Sequence, residues 1–197
     1  YLLLSNLVVA QALQVLKTEG TTSSEIFNLK GLLLMQEDNQ VDALRAFKRA
    51  VEVEPNHVDA NLNIAFISIR FRDYATAEKS LSIAMQAPRV KRDLEAQIAM
   101  GVAQRGLKKY ADAEATYNTA IGLDNTDPRP WWNLGVLYQE HKVSEDGVDQ
   151  VKIEELFKTA QAHFNQFCTL AAGKPCTDVD TKSMATSARR GRHLDEE

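Results

Sequence analysis

A pattern of paired helices recurs along the chain at a spacing of about 34 residues, and it constrains the fold more than any single motif. In the first copy, Gly31 is followed by Ala43, Phe47, Ala50 and Pro55. Stacked units of this kind bury their apolar faces against their neighbours, so the pattern predicts an all-α repeat fold. The further copies contain Ala65, Ala77, Leu81 and Ala84, then Gly101, Ala113, Tyr117 and Ala120, and finally Trp131, Leu134, Gly135 and Tyr138.

The small and large positions of this pattern predict how the two helices of each pair meet. A residue as small as Gly31 or Gly101 lets the second helix approach closely. An aromatic ring such as that of Phe47 or Tyr117 then fills the space beside it. We therefore expect close helix packing at the same place in each copy.

These residues and their order resemble the tetratricopeptide-repeat family, whose pattern has Gly at position eight, an aromatic at twenty-four and Ala at twenty-seven. The resemblance implies an all-α, right-handed superhelical solenoid of antiparallel helix pairs. Phe167 stands where the family has Ala, so we expect the last helix to face a different neighbour. The resemblance sets four repeats at 24–57, 58–91, 94–127 and 128–170, the last with an insertion at about 141–153.

The two ends of the chain differ from the repeats. Residues 1–20 predict a leading helix, because Val9, Leu13 and Leu16 stand one period before the second helix of the first repeat. It is either the second helix of an incomplete repeat or an ordinary capping helix. Residues 171–197 form a small and polar tail, and its short basic run at 189–192 predicts a solvated tail or a docked strand rather than a nucleic-acid site.

The resemblance places the concave face of the solenoid on positions two, five, nine, twelve and thirteen of each repeat, and the residues at five, nine and twelve are read here. Most of these positions are apolar here, and a contiguous exposed apolar patch usually marks a contact surface. We therefore expect a partner polypeptide in this groove, with Trp132 and Phe66 as anchors. Burial between repeats, or a groove filled by the chain's own ends, would explain the same pattern. The predicted groove residues are Asn28, Leu32, Met35, Leu62, Phe66, Ile69, Ile98, Val102, Arg105, Trp132, Val136 and Gln139.

Members of the family that hold the acidic carboxyl tails of heat-shock chaperones use a clamp of Lys, Asn and Arg side chains. The matching positions here hold Asn28, Leu32, Asn63, Glu95 and Ala99. Only the middle Asn is retained, and one Asn cannot neutralise a terminal carboxylate and an acidic side chain. The sequence therefore disfavours a chaperone-tail clamp.

The two cysteines, Cys168 and Cys176, are separated by a segment that contains Gly and Pro and so permits the chain to turn back. This spacing predicts a disulfide, which would place the protein in an oxidising compartment. Two free buried thiols or half of a metal site remain as alternatives, although no CxxC motif or nearby His pair favours a metal.

Composition and motifs exclude several functions. The formal net charge of −4 argues against a protein that grips nucleic acid through a basic face. No stretch reaches the roughly 18 apolar residues of a membrane-spanning helix. We find no phosphate loop, serine nucleophile motif or set of metal ligands, and therefore predict no catalytic residue, metal or cofactor. The four histidines are scattered, at His57, His141, His163 and His193.

Together these features predict a non-catalytic scaffold that binds a protein or peptide partner. The predicted disulfide and the resemblance to envelope members of the family, which include lipoproteins of pilus assembly and gliding motility, indicate a periplasmic protein at or near the outer membrane. Its role would be to assemble a type IV pilus, gliding-motility or secretion machine, and any lipid anchor would lie upstream of residue 1. The alternatives are a cytosolic adaptor or co-chaperone and a regulatory domain of a larger enzyme.

Overall fold

The computed structural model describes residues 23–141 and 149–173, and all regular secondary structure in these two ranges is helical. The predicted all-α class built from helix pairs is therefore confirmed. The leading helix at 1–20, most of the insertion and nearly all of the tail lie outside the described residues. The helices are α1 (Ser24–Gln36), α2 (Gln40–Val53), α3 (Val58–Arg70), α4 (Tyr74–Ala84), α5 (Pro88–Lys91), α6 (Leu94–Gly106), α7 (Tyr110–Leu123), α8 (Arg129–Val136) with a π-helical turn at Leu137–His141, and α9 (Gln150–Ala172).

The chain divides into two compact units, residues 1–92 and 93–197. In unit 1, α1 pairs with α2, α3 pairs with α4, and α2 packs against α3. In unit 2, α6 pairs with α7, α8 pairs with α9, and α7 packs against α8. Each unit thus holds two helix pairs. The first helices begin at Ser24 and Val58 in unit 1, and at Leu94 and Arg129 in unit 2.

The close approach within each pair depends on its glycine. A Cβ added to Gly31 would lie 2.6 Å from Cδ1 of Phe47, and one added to Gly101 would lie 2.6 Å from Cδ1 of Tyr117. A Cβ added to Gly135 would likewise lie 2.6 Å from Cδ1 of Phe164. Each aromatic face thus rests on the bare backbone of the first helix, where any larger residue would overlap the ring.

The pair α3 and α4 solves the same packing problem with different residues. Ala65 and Leu81 replace the glycine and the aromatic, and both are fully buried. Leu81 has a smaller side chain than an aromatic residue, so a methyl group fits on the facing helix. The small position and the large position therefore vary together, which explains why the second copy of the pattern departs from the others.

Polar residues that interrupt the apolar pattern of α3 are satisfied inside the fold. Asn61 is 2% exposed, and its Nδ2 donates to the backbone oxygens of Pro55 and His57 at 2.9 Å each. His57 caps α3, because its Nδ1 accepts a hydrogen bond from the backbone N–H of Ala60 at 3.2 Å. The side chain of Asn61 thereby ties the loop before α3 to the helix itself.

Three turns between paired helices contain a non-glycine residue in the left-handed region. Asp38, Arg72 and Lys108 have φ values of 57°, 59° and 61° and occupy the same position in their turns. An L-residue pays roughly 1–2 kcal/mol for this conformation, whereas glycine adopts it freely. The turns are thus a common source of backbone strain in both units.

Replacing Lys108 by Gly is expected to raise the free energy of unfolding by about 0.5–1 kcal/mol. The strain energy that is relieved is larger than the free-energy cost of the extra conformational entropy that glycine has in the unfolded chain. The matched control is Glu37→Gly, since Glu37 also lies in such a turn but has a φ of −84°. The control should lower the stability. Urea denaturation of both variants makes the comparison, and a destabilised Lys108→Gly variant would show that the turn carries no such strain.

Candidate functional site

Unit 2 contains an open depression of about 380 Å³ between the first turns of α6 and α8 and the last turns of α9. Its apolar walls come from one residue of each helix, Ile98 of α6, Trp132 of α8 and Phe167 of α9. Charged and polar side chains form its rim. The lining residues are Glu95, Ile98, Arg129, Trp132, Asn133 and Phe167.

The aromatic wall of this depression is a packed cluster. The ring of Trp132 lies with its centroid 5.2 Å from that of Phe164 and 5.2 Å from that of Phe167, tilted by 57° and 56°. Tilted pairs at this separation are favourable beyond their buried area. Phe167 therefore faces Trp132 of α8, whereas Ala50, Ala84 and Ala120 at the matching positions are fully buried.

The rim of the depression is held by one arginine between two carboxylates. Arg129 donates to Glu95 of α6 and, at 2.9 Å, to Asp127. The hydrogen bonds from Arg129 hold the pKa of Asp127 below its usual value of 3.8, although burial opposes them. Two carboxylates, those of Glu95 and Asp127, thus share the single guanidinium of Arg129.

The other predicted groove residues of unit 2 occupy different environments. Val136 is 7% exposed and packs in a cluster with Ala160 and Phe164. Val102 packs against the buried cluster of α7 and α8, and Arg105 and Gln139 are half-buried. Of the six residues predicted for this unit, only Ile98 and Trp132 line the depression.

In unit 1, the predicted residues lie on α1 and α3. Asn28 is buried, and its Oδ1 accepts a hydrogen bond from Nδ2 of Asn63 at 3.2 Å. Leu32 is 40% exposed, and Met35 packs against the core cluster around Phe47. Leu62, Phe66 and Ile69 on α3 are half-buried.

The structure shows how the positions of a chaperone-tail clamp are occupied. Asn28 and Asn63 are hydrogen-bonded to each other, and Glu95 is paired with Arg129. These side chains are thus engaged within the fold.

The groove predicted from the sequence did not include four residues of the depression, Glu95, Arg129, Asn133 and Phe167. Arg129 carried one weak signal, since a cation at the start of one helix pair can reach the acid at the start of the pair before it. In unit 1, Arg89 of the short helix α5 also reaches an acid at the start of a helix pair, and donates to Asp59 at 2.6 Å. Phe167 carried a clearer signal, because it departs from the Ala of the repeat pattern.

A second aromatic cluster in unit 2 surrounds His163. Its ring centroid lies 5.9 Å from that of Trp131 and 5.4 Å from that of Tyr138. Burial lowers the pKa of His163 below its usual value of 6.5, and the nearby carboxylate of Glu114 partly opposes this. The hydroxyl of Tyr138 donates to Glu114, and burial together with this bond raises the pKa of Tyr138.

The lowered pKa of His163 predicts a loss of stability in mild acid. Because the unfolded chain takes up a proton at this residue before the folded chain does, the free energy of unfolding should fall as the pH drops below about 6.5. In His163→Gln, this part of the pH dependence should disappear at pH values below about 6.5. Urea denaturation across that range measures it. The same slope in the variant and the parent protein would exclude His163 as the cause.

The predicted disulfide involves one residue that the structure describes. Cys168 is 7% exposed on α9, directly after Phe167. Its predicted partner, Cys176, lies outside the described residues, so the pairing stays a prediction.

Within residues 23–141 and 149–173, no group of His, Cys, Asp or Glu side chains is arranged to hold a metal ion. The helices of the same ranges also include none with the length and apolar character needed to cross a membrane.

Comparison with known proteins shows what the chain is similar to. Residues 103–142, from α6 to the turn after α8, match the family model described as TPR repeat. The structure of MamA 41-end from Desulfovibrio magneticus RS-1 is similar with a TM-score of 0.65 and 20% identity, over 84% of this chain and 86% of that chain. A crystal structure of MamA has a TM-score of 0.59 and 17% identity, over 76% of this chain and 82% of that chain. No curated protein sequence matches the chain.

Over residues 103–142 the chain is similar to tetratricopeptide repeats, and its fold of paired helices is similar to that of the MamA structures. Folds of this class typically act as interaction scaffolds that present extended surfaces to other proteins.

Proposed function

We propose that this chain is a non-catalytic scaffold that binds a partner polypeptide in the depression of unit 2. The observation that carries the proposal is the open apolar wall of Ile98, Trp132 and Phe167 beside a charged rim. Binding sites of this form bury a large apolar anchor and fix its orientation with a few polar groups.

The wall is suited to an anchor because it is packed as well as apolar. Trp132 contacts Phe164 and Phe167, and Ile98 is 7% exposed on α6. Side chains that are already packed lose little entropy when a partner binds. The ion pair of Arg129 with Glu95 closes one side, and Asn133 offers an amide on the rim.

Photo-crosslinking in cells tests this proposal. A photo-reactive amino acid replaces Asn133 on the rim, and in a matched variant it replaces Asn118, which is exposed on α7. We expect position 133 to capture a defined polypeptide that position 118 does not, and expect Phe167→Ala to abolish the capture. Equal capture from both positions would contradict a site in the depression.

We propose further that the scaffold works in the bacterial envelope, in a type IV pilus, gliding-motility or secretion machine, where its partner would be another component of that machine. This proposal is supported by the predicted bridge between Cys168 and Cys176, because disulfides persist in oxidising compartments. Thiol alkylation and mass spectrometry without reductant should find both cysteines blocked. Two free thiols would favour the cytosolic adaptor instead, and a catalytic domain in the same gene would favour the regulatory-domain alternative.

A further inference from the structure

Unit 1 contains a partly open cavity of about 350 Å³ that is bounded by α2, α3 and α4. Its inner surface is mostly apolar, with Val51 from α2, Ile64 from α3 and Ile83 from α4. Lys48 and Lys79 reach its edge from the two outer helices, α2 and α4. The cavity thus combines an apolar interior with positive charge on two sides.

The apolar interior is already packed. Ile64 is 3% exposed and belongs to the buried cluster around Phe47, and Val51 packs against the same cluster. Pro55 lines the cavity as well, and its backbone oxygen accepts a hydrogen bond from Nδ2 of Asn61 at 2.9 Å. A partner's apolar side chain therefore meets a formed surface, which keeps the entropy cost of binding low.

Both charged residues that line the cavity are cations. Lys48 and Lys79 are exposed, and within residues 23–141 and 149–173 neither has a carboxylate at ion-pair distance. One carboxylate, that of Asp73, feels the charge of Lys48. The side chain and backbone N–H of Thr76 lower the pKa of Asp73 most, burial opposes them, and Lys48 adds a smaller lowering. Asp73 therefore offsets part of one lysine only.

The other carboxylates on α2 and α4, and the one that follows α2, do not neutralise the lysines. Glu52 is paired with Arg49 at 2.6 Å, and Glu54 accepts a hydrogen bond from the hydroxyl of Ser24 at 2.6 Å. Glu78 precedes Lys79 in the chain but does not line the cavity. The lining therefore carries a net positive charge.

The helix packing of the repeats does not require lysine at these two positions. In the third repeat, 94–127, the matching positions hold Asn118 in place of Lys48 and Ala115 in place of Lys79. The exposure of both lysines likewise shows that they add little to the core. Their positive charge is thus a property of this cavity rather than of the fold.

We infer that this cavity binds a partner polypeptide through an acidic segment, in which one aliphatic side chain is flanked by Asp or Glu carboxylates. The aliphatic side chain packs against Ile64 and Ile83, and the carboxylates accept hydrogen bonds from Nζ of Lys48 and Lys79. Opposite charges around an apolar contact favour association and set its orientation. The site is in unit 1, so it is a second binding site beyond the one proposed in unit 2.

Peptide titration of the full chain, followed by ¹⁵N NMR at low salt, tests this inference. The probe is the peptide Glu-Glu-Leu-Glu-Glu, and the matched peptides are Gln-Gln-Leu-Gln-Gln and Glu-Glu-Gly-Glu-Glu. We expect the first peptide to shift the backbone amides of Ile64, Thr76 and Ile83, and each matched peptide to bind about fivefold more weakly or less. Added salt should weaken the binding, because the ion pairs are exposed.

Two variants of equal net charge show whether the lysines of the cavity are responsible. Lys48→Gln combined with Lys79→Gln should weaken binding of the acidic peptide about fivefold or more. Lys30→Gln combined with Arg70→Gln is the control, since both residues are exposed and neither lines the cavity. The control should bind within about twofold of the parent chain.

Several results would overturn the inference. These are no shifts at the cavity, equal binding of the acidic and glutamine peptides, or equal loss of affinity in the two variants. Inorganic phosphate that reproduces the shifts of Ile64 and Ile83 would also overturn it, because the site would then bind an anion without an apolar group. Phe167→Ala should leave this binding unchanged, so failure here does not affect the site proposed in unit 2.

Discussion

Replacing Gly101 by Ala is expected to lower the free energy of unfolding of unit 2 by about 1–3 kcal/mol, even though alanine is the better helix former. The added methyl group would lie 2.6 Å from Cδ1 of Tyr117, which is fully buried. Gly122→Ala is the control on α7, because nothing lies within 4 Å of the new methyl group there. It should raise the stability by up to about 1 kcal/mol.

The pair α3 and α4 indicates how the damage at Gly101 can be repaired. There Ala65 faces Leu81, so Tyr117→Leu should make room for the methyl group of Gly101→Ala. A double-mutant cycle compares the losses in free energy of unfolding. We expect the loss in the double variant to be smaller than the sum of the two single losses, by at least about 1 kcal/mol. Urea denaturation of the four proteins measures this coupling. Strict additivity would show that the ring and the glycine do not share one packing constraint.

Replacing Trp132 by Ala should lower the free energy of unfolding of unit 2 by about 2–4 kcal/mol, because the change removes ring contacts with both Phe164 and Phe167. Phe157→Ala is the control on α9, where Phe157 is 42% exposed. Its effect should stay within about 0.5 kcal/mol. Urea denaturation, monitored by circular dichroism, compares the two variants. Equally small losses of stability in both would contradict the packed aromatic cluster.

The role of Trp132 in packing also changes how binding should be tested. From the sequence alone, Trp132 and Phe66 are the expected anchors, and replacing both by Ala should weaken binding by roughly 2 kcal/mol while the helices stay intact. In the structure, Trp132 supports α9, so loss of binding in that variant would also follow from a loosened fold. Phe167 is the better choice, since the other repeats tolerate Ala at its position.

The sequence predicts some features of this fold well because they depend on local pattern. The spacing from Gly101 to Tyr117 is set by two helices and a short turn, so the contact between them follows from the repeat alone. The all-α class follows from the same spacing. The left-handed residues at Asp38 and Lys108 could not be found in this way, because nothing in their side chains demands a positive φ.

The candidate site was less accessible to sequence reasoning because it depends on contacts across an insertion. Phe167 reaches Trp132 from a helix that follows the insertion, so the number of residues between them differs from that in the other repeats. An apolar pattern also cannot tell which residues become core. Val136 and Ile98 are both 7% exposed, yet only Ile98 lines the depression.

The affinity of the polypeptide captured from position 133 for three proteins tests the central claim most directly. Calorimetry would compare the parent chain, Phe167→Ala and the control Phe157→Ala, with folding of each confirmed by circular dichroism. We predict that Phe167→Ala weakens binding by about 2 kcal/mol, or roughly thirtyfold in Kd, while Phe157→Ala binds like the parent chain. Equal affinity of all three proteins would contradict a partner site in this depression.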